Sequence, residues 1–463
     1  MLKVAEIKVN YERNPEGITG VPLFSWVLWS DKRNVVQDGY QLQISEDPSF
    51  NSLCYDSGKK ESDLSARIIA EELDLKSASK YYVRVKVEAG HEISPWSETY
   101  YFITALLDVE EWKASFITAE TKDDAGLSKG TYVRNTFRVK GKVKQALAYT
   151  TALGLYEFYM NGKKVGNDEL TPGWTSYHKH LTYQTYEVTS ALVEGRNGLG
   201  ASLGAGWYKG TMGFDRIRNL YGDRTAFLCQ LVIQYEDGTT DVVVSDETWV
   251  GHDSPVLFAE IYDGEIYDAR KEIEGWSKDT LMDDSWKPVE IIEIDKKILD
   301  AQIKNRVQEI DKVEAKRIFK TPQGHTVIDF GQNMTGRIHV RAKGKPEDVI
   351  ELHCFEVLDQ DGNVYLDNLR GAKQSLTYTF AREEEIQYHP TFTFMGFQFA
   401  KIVSYPGEPK IEDFTAYTTH TFMEPTGTLE TSNPYINQLS HNILWGMKGN
   451  FVDVPTDCPQ RDE

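Results

Sequence analysis

Tyr81-Tyr82-Val83-Arg84-Val85-Lys86-Val87 alternates apolar and polar side chains, the pattern of a strand that buries one face. Working outward, Trp26-Val27-Leu28-Trp29 and Tyr40-Gln41-Leu42-Gln43-Ile44 carry the same signal. Short runs of this kind, separated by turn residues, recur to about residue 422 and make the chain mainly β. Its 463 residues, at about 150 per domain, predict about three domains, or four if some are small sandwiches. Hydrophobic residues make up 40% and charged residues 26%, an ordinary globular composition that excludes global disorder, collagen and coiled coil.

The first expected domain, residues 1–107, is a small β-sandwich. The spacing from Leu75 to Tyr81, followed by Val83 and Val85, resembles the approach to the F strand of a fibronectin type III module, tyrosine corner included. An acidic connection at 108–111 opens the second domain, 108–289. Residues 132–139, 146–151, 155–160 and 227–235 are strand-like there, with Asn161-Gly162 and Asp237-Gly238 as turns, which predicts a jelly-roll-like sandwich. In the third, 290–424, the runs 326–330, 337–341, 349–353, 375–380 and 397–403 predict another sandwich. The period then changes. Asn433-Pro434 offers an N-cap and a first-turn proline, and Ile436, Leu439, Ile443 and Met447 share one helical face that is expected to be buried. This helix ends before Val454-Pro455, so residues 425–463 read as the opening of a helical domain.

The densest polar stretch closes the chain: Asp453-Val454-Pro455-Thr456-Asp457-Cys458-Pro459-Gln460-Arg461-Asp462-Glu463. Carboxylates and a guanidinium in a proline-punctuated loop suit sugar or phosphate chemistry, because a carboxylic acid protonates a glycosidic oxygen while Asp and Arg fix hydroxyls. Composition alone favours a frayed, solvated chain end.

This stretch resembles the active-site signature of the bacterial α-L-rhamnosidases, inverting glycoside hydrolases with an (α/α)6 barrel. Upstream, Asp329-Phe-Gly-Gln-Asn333, Gly336-Arg337, Glu356-Val-Leu, Arg370-Gly-Ala372 and His389-Pro-Thr-Phe-Thr-Phe-Met-Gly-Phe397 are similar to the family's middle β-domain. Asn161-Gly162, Pro172-Gly-Trp-Thr-Ser-Tyr177, Tyr183-Gln-Thr-Tyr186, Gly204-Ala-Gly-Trp-Tyr208 and Asp263-Gly-Glu-Ile-Tyr-Asp-Ala-Arg270 are similar to its N-terminal β-domain. The resemblance implies tandem sandwiches followed by the first helix of an incomplete barrel. It makes Glu463 the general acid, with Asp457 and Arg461 holding rhamnose hydroxyls. The second carboxylate that inversion requires would come from later in the barrel, so the chain is expected to be a truncated, inactive enzyme.

A second reading is a carbohydrate-binding or scaffold protein. Trp174, Tyr177, Trp207 and Tyr208 join flat rings to glycine-bearing loops and are candidates for stacking on a sugar, against the alternative that they are core. Metal chemistry has little support. There is no H-E-x-x-H, His178 and His180 read as surface imidazoles, and Asp359-Gln-Asp361-Gly-Asn363 reads as a β-turn. No cofactor is required by this reading; calcium stays open because it accompanies sugar-binding domains in the family.

The net charge of −20 and the lack of a basic patch argue against nucleic acid. No window approaches the roughly 20 apolar residues of a membrane span. Four scattered cysteines without a C-x-x-C pair, and a start lacking a signal-peptide core, predict a cytoplasmic protein. P-loop, Rossmann and G-x-S-x-G motifs are missing. The expected partners are rhamnose-containing glycosides, with a homo-oligomer allowed by exposed strand edges and the terminal helix.

Overall fold

The structure is a computed structural model describing residues 1–124, 126–281, 283–302 and 305–461. It is mainly β. In the N-terminal sandwich the strand Lys80–Ala89 lies between Gly39–Ser45 and Tyr100–Thr104. Tyr81, Val83, Val85 and Val87, the alternate residues of the decisive stretch, are all buried and face a three-stranded sheet built on Leu2–Val9 and Leu23–Ser30. The Tyr81 hydroxyl accepts the backbone N–H of Lys76 at 2.9 Å, pinning the chain ahead of the strand.

Next come two mainly antiparallel sheets enclosing a shared core. Val143–Leu153 pairs with Leu181–Glu187 and Ala226–Tyr235 in one, and Thr131–Val139 pairs with Gly195–Gly204 in the other. Ala146, Ala148 and Phe227 meet Val133, Phe158 and Leu199 between them. The third sheet has 11 strands and reaches across the connection near residue 290, taking in Asp168–Glu169, Val256–Glu260 and Gly264–Asp268 from earlier in the chain. One hydrophobic core, including Tyr149, Trp207, Ala259, Val307 and Phe392, runs beneath these connections.

Two expected strands, 326–330 and 337–341, are one 19-residue strand, Thr326–Gly344. The break seen in the sequence is a bulge. Asp329 pairs with Phe399 and Met334 with Phe397, so residues 330–333 are set against a single partner residue and the excess leaves the ladder. Gly331 supplies the positive φ of +72° that this needs, and the Asp329 carboxylate accepts its N–H at 2.8 Å.

The helix Pro434–Gly449 starts as expected: the Asn433 side chain accepts the Tyr435 N–H at 2.9 Å and Pro434 occupies the first turn. Its expected buried face is not buried. Ile436, Leu439, Ile443 and Met447 are 39–59% exposed. The helix instead meets the third sheet through Trp445, through Thr335 Oγ1 donating to the Gly449 carbonyl at 2.9 Å, and through Lys448 against Asp311 at 2.7 Å. Periodicity marks the apolar face, but burial depends on a neighbour that the described residues do not supply.

Deep in the second domain, Lys209 donates to Glu120 at 2.6 Å with both side chains fully enclosed, and the Thr225 N–H adds a second donor at 3.2 Å. Burial pushes the Glu120 carboxyl up even against the pull of Lys209 and Thr225. Removing one partner therefore exposes a large desolvation cost. Lys209→Met is expected to destabilise the chain by about 3–5 kcal/mol, and Lys209→Met with Glu120→Leu to recover most of it. Thermal unfolding of the two variants checks this; equal loss in both would show that packing, not charge, dominates.

Candidate active-site loop

The chain leaves the helix through a tight hairpin, Phe451–Val452 against Val454–Pro455, with Asp453 at the turn and φ of +70°. Val452 is fully buried in the common core. The Asp453 carboxylate accepts the Trp174 N–H at 2.7 Å, and its own N–H donates to Thr421 Oγ1 at 2.9 Å. Gly173 is required beneath it, since a Cβ there would lie 2.4 Å from the carboxylate and its φ is +95°. Asp453 is thus a structural clamp.

Asn450 caps the helix and organises the rest of the loop. Its side-chain amide donates to the carbonyls of Thr456 at 2.7 Å and Asp457 at 2.8 Å, while the Thr456 N–H returns to the Asn450 carbonyl at 2.9 Å. Further on, Gln460 lies flush on Gly396, where a Cβ would come within 2.8 Å of its backbone nitrogen. These contacts set Asp457 at a cavity of about 420 Å³ walled by Gln332, Asn333, Glu356, Trp445 and Cys458.

The candidate residues fall into three groups. Asp457 and Arg461 are brought together through Cys458, whose Sγ donates to Asp457 Oδ2 at 3.3 Å and accepts from the Arg461 guanidinium at 3.1 Å. Glu463 and its neighbour Asp462 lie outside the described residues. The four aromatic candidates cluster, but as packing. Trp174 stacks on Trp207 with centroids 6.1 Å apart and planes 7° from parallel, and Tyr177 meets Tyr208 edge-on at 5.2 Å. Tyr177, Trp207 and Tyr208 are buried, which corrects the sugar-stacking expectation for them: their faces are already covered. The Tyr177 hydroxyl donates to the Gly173 carbonyl at 2.7 Å, so these rings support the turn that clamps Asp453. His178 contacts the Tyr221 carbonyl, His180 pairs with Asp300, and Asp359 Oδ1 accepts the N–H groups of Asp361 and Asn363 as a turn does.

Gln332, Asn333 and Glu356 are among the cavity residues to which sequence reasoning assigns no role. Gln332 and Asn333 ride on the bulge, and Asn333 donates to Glu356 Oε1 at 2.9 Å. The available signal was the glycine in Asp329-Phe-Gly-Gln-Asn333, which announces irregular backbone inside a strand.

Comparison with known proteins matches most of the chain to domains of one family. Residues 141–311 match the alpha-L-rhamnosidase N-terminal domain and 319–420 the bacterial alpha-L-rhamnosidase concanavalin-like domain. Residues 4–108 match a Rha78A-like N-terminal immunoglobulin domain, and 424–463 the bacterial alpha-L-rhamnosidase 6 hairpin glycosidase domain. The chain belongs to the bacterial α-L-rhamnosidase family.

An alpha-L-rhamnosidase of Streptomyces avermitilis is 40% identical over 338 residues, which is 73% of this chain and 33% of that protein. One from Alteromonas sp. is 34% identical over 490 residues, covering 100% of this chain and 51% of the relative. The native rhamnosidase structure from Aspergillus terreus superposes with a TM-score of 0.96 at 32% identity, covering 100% of this chain and 54% of that one. The Streptomyces avermitilis rhamnosidase complexed with L-rhamnose gives 0.94 at 27% identity, covering 100% and 62%. The chain spans about half the length of the curated relatives that it matches along its full extent.

Two expectations concern the seat of this rhamnosidase-family loop. Asn450→Ala removes both carbonyl contacts and should free the segment from 453 to 461, seen as faster proteolytic nicking there with the global unfolding midpoint little changed. The second concerns Asp311. Desolvation works to raise its carboxyl, but the hydrogen bond and charge of Lys448 outweigh it and hold Asp311 below the usual range. A depressed carboxylate stabilises above its unfolded pKa of about 3.9 and loses that contribution as pH falls through the lower folded value. Hydrogen-exchange protection of the helix Pro434–Gly449 should therefore decline below about pH 4, and Asp311→Asn should flatten the dependence.

Proposed function

We propose that residues 1–463 supply the β domains and the acid-bearing loop of an inverting α-L-rhamnosidase, which removes terminal α-L-rhamnosyl residues from rhamnose-containing glycosides. The carrying observation is the seat of the loop. Asp457 and Arg461 are linked through one sulfur at a cavity formed jointly by the six-hairpin segment and the third sheet.

In this reading Glu463 protonates the departing glycosidic oxygen. The Asp457 carboxylate accepts hydrogen bonds from sugar hydroxyls and Arg461 donates to them, a division that fixes the ring by direction as well as charge. Inversion needs a second carboxylate roughly 6.5–9.5 Å from the acid to activate water on the opposite ring face, and that role is assigned to no residue of this chain. The activity is accordingly proposed for the chain joined to a complete six-hairpin domain. Burial of Tyr177, Trp207 and Tyr208 leaves Trp174 as the one partly exposed ring of the four on which the carbohydrate-binding alternative rested.

Release of rhamnose decides the matter. Residues 1–463 alone should show no turnover of an aryl α-L-rhamnoside above background, whereas a version carrying the complete domain should hydrolyse it. In that version Glu463→Gln should lower kcat by about 10²–10⁴-fold on a glycoside with a poor leaving group, and by less on an activated aryl substrate that needs little protonation. Asp457→Asn should raise KM. A folded, complete version that leaves rhamnosides intact, or whose Glu463→Gln variant is unimpaired, overturns the reading.

A further inference from the structure

Away from the loop, three side chains with metal-binding atoms converge between the second and third β domains. Glu309, His339 and His389 each offer a donor atom, and these atoms lie within 4.8 Å of one another. We propose that Glu309, His339 and His389 form a binding site for one divalent transition-metal cation, zinc by its donor chemistry, at this junction.

The strand register builds the cluster. Tyr388 pairs with Val340, so the next residue along, His389, comes opposite His339, and the imidazoles stack with centroids 4.1 Å apart and planes 10° from parallel. Glu309 arrives from the other side at an irregularity of its own, where the pairing of Val307–Glu314 with Phe414–Thr421 shifts between Glu309 and Lys312. Its Oε1 lies 3.0 Å from His339 Nε2. Two bulges in one sheet thus serve two sites, one at the loop cavity and one here.

The donor set of two imidazoles and one carboxylate is that of zinc sites that keep an open coordination position, and it is too nitrogen-rich for calcium or magnesium. Glu309 and His389 border a cavity of about 480 Å³ whose far wall comes from the second domain, including Glu157, Lys164 and Glu169. An ion therefore has an approach and room for a water in an open position. With neutral imidazoles, the three carboxylates Glu157, Glu169 and Glu309 outweigh the two cations Lys164 and Arg337, which favours a dication. Arg337 does not block Glu309. Its guanidinium is committed to Glu169 at 2.5 Å and to the Thr391 and Thr393 carbonyls at 2.7 and 2.8 Å, and it reaches Glu309 only at 3.7 Å.

Binding asks for a small rearrangement. Donors around tetrahedral zinc at about 2.1 Å stand about 3.4 Å apart, so donor separations that reach up to 4.8 Å must close by as much as about 1.4 Å. A shared ion cannot lie in both parallel ring planes, so the imidazoles must also tilt. This exchanges a stacking contact and the His339–Glu309 hydrogen bond for coordination.

The test uses the chain as it is, stripped with a chelator and titrated with Zn²⁺ by calorimetry and with Co²⁺ by its visible ligand-field absorption. One equivalent is expected to bind saturably, with a rise in thermal midpoint. His389→Ala and His339→Gln should each weaken binding at least about 100-fold, while His178→Ala with His180→Ala leaves it unchanged. Circular dichroism establishes folding. If His389→Ala fails to fold, His339→Gln and Glu309→Gln decide. No saturable uptake by the folded chain, or uptake that survives His339→Gln and Glu309→Gln, overturns the proposal. Neither result bears on rhamnoside hydrolysis, which uses other residues.

Discussion

The strand Thr326–Gly344 carries more of this molecule than any other element, because it cannot stay in register along its length. Setting residues 330–333 against one partner residue expels Gln332 and Asn333 from the ladder, and what leaves a ladder needs other partners. Asn333 finds Glu356, Gln332 meets His441 of the helix, and Thr335, just past the bulge, holds the last helical carbonyl. The helix and the loop behind it are positioned by the place where the sheet stops being regular. Beyond the bulge, the same strand restores its pairing in time to present Arg337 to Glu169 of the second domain and His339 to Glu309.

The loop from Asp453 to Arg461 takes rigid support from elements far away in sequence. Asp453 reaches back to the Gly173–Trp174 turn, which the buried rings of Tyr177, Trp207 and Tyr208 hold from beneath. Mean burial alone would class those rings as inert core. Their effect is transmitted through one backbone carbonyl, that of Gly173, to the turn whose lack of a Cβ leaves room for a carboxylate. The second domain therefore takes part in shaping the loop without contributing a group to the cavity.

Much of this was legible in the sequence wherever the signal is local. Alternation in 81–87 gave the buried face of its strand, and Asn433-Pro434 gave the helix start, because side-chain direction and capping are decided within a few residues. Three things were not legible. The apolar face of the helix predicts burial, yet Ile443 is 59% exposed, because periodicity states which residues want a partner and not whether the described residues supply one. Strands 326–330 and 337–341 were separated because a glycine inside a strand looks the same whether it ends the strand or bulges it. The aromatic quartet was ambiguous for a similar reason, since composition cannot distinguish a ring offered to a ligand from one filling a core.

The histidines show where local reading stops. Neither His339 nor His389 has a metal-ligand spacing to any other candidate in sequence, and no periodic rule links them to Glu309. Their meeting follows from pairing: once Val340 is opposite Tyr388, the neighbours on either side have no choice of partner. A one-residue slip of Glu384–Tyr388 along Thr326–Gly344 would turn His389 to the other face, against the apolar core of Ile338, Val340 and Ala342, so hydrophobic burial itself enforces the polar encounter. The same logic governs the loop. Its chemistry is written in a short run of residues, but the cavity that Asp457 faces exists only because a distant sheet was forced out of step.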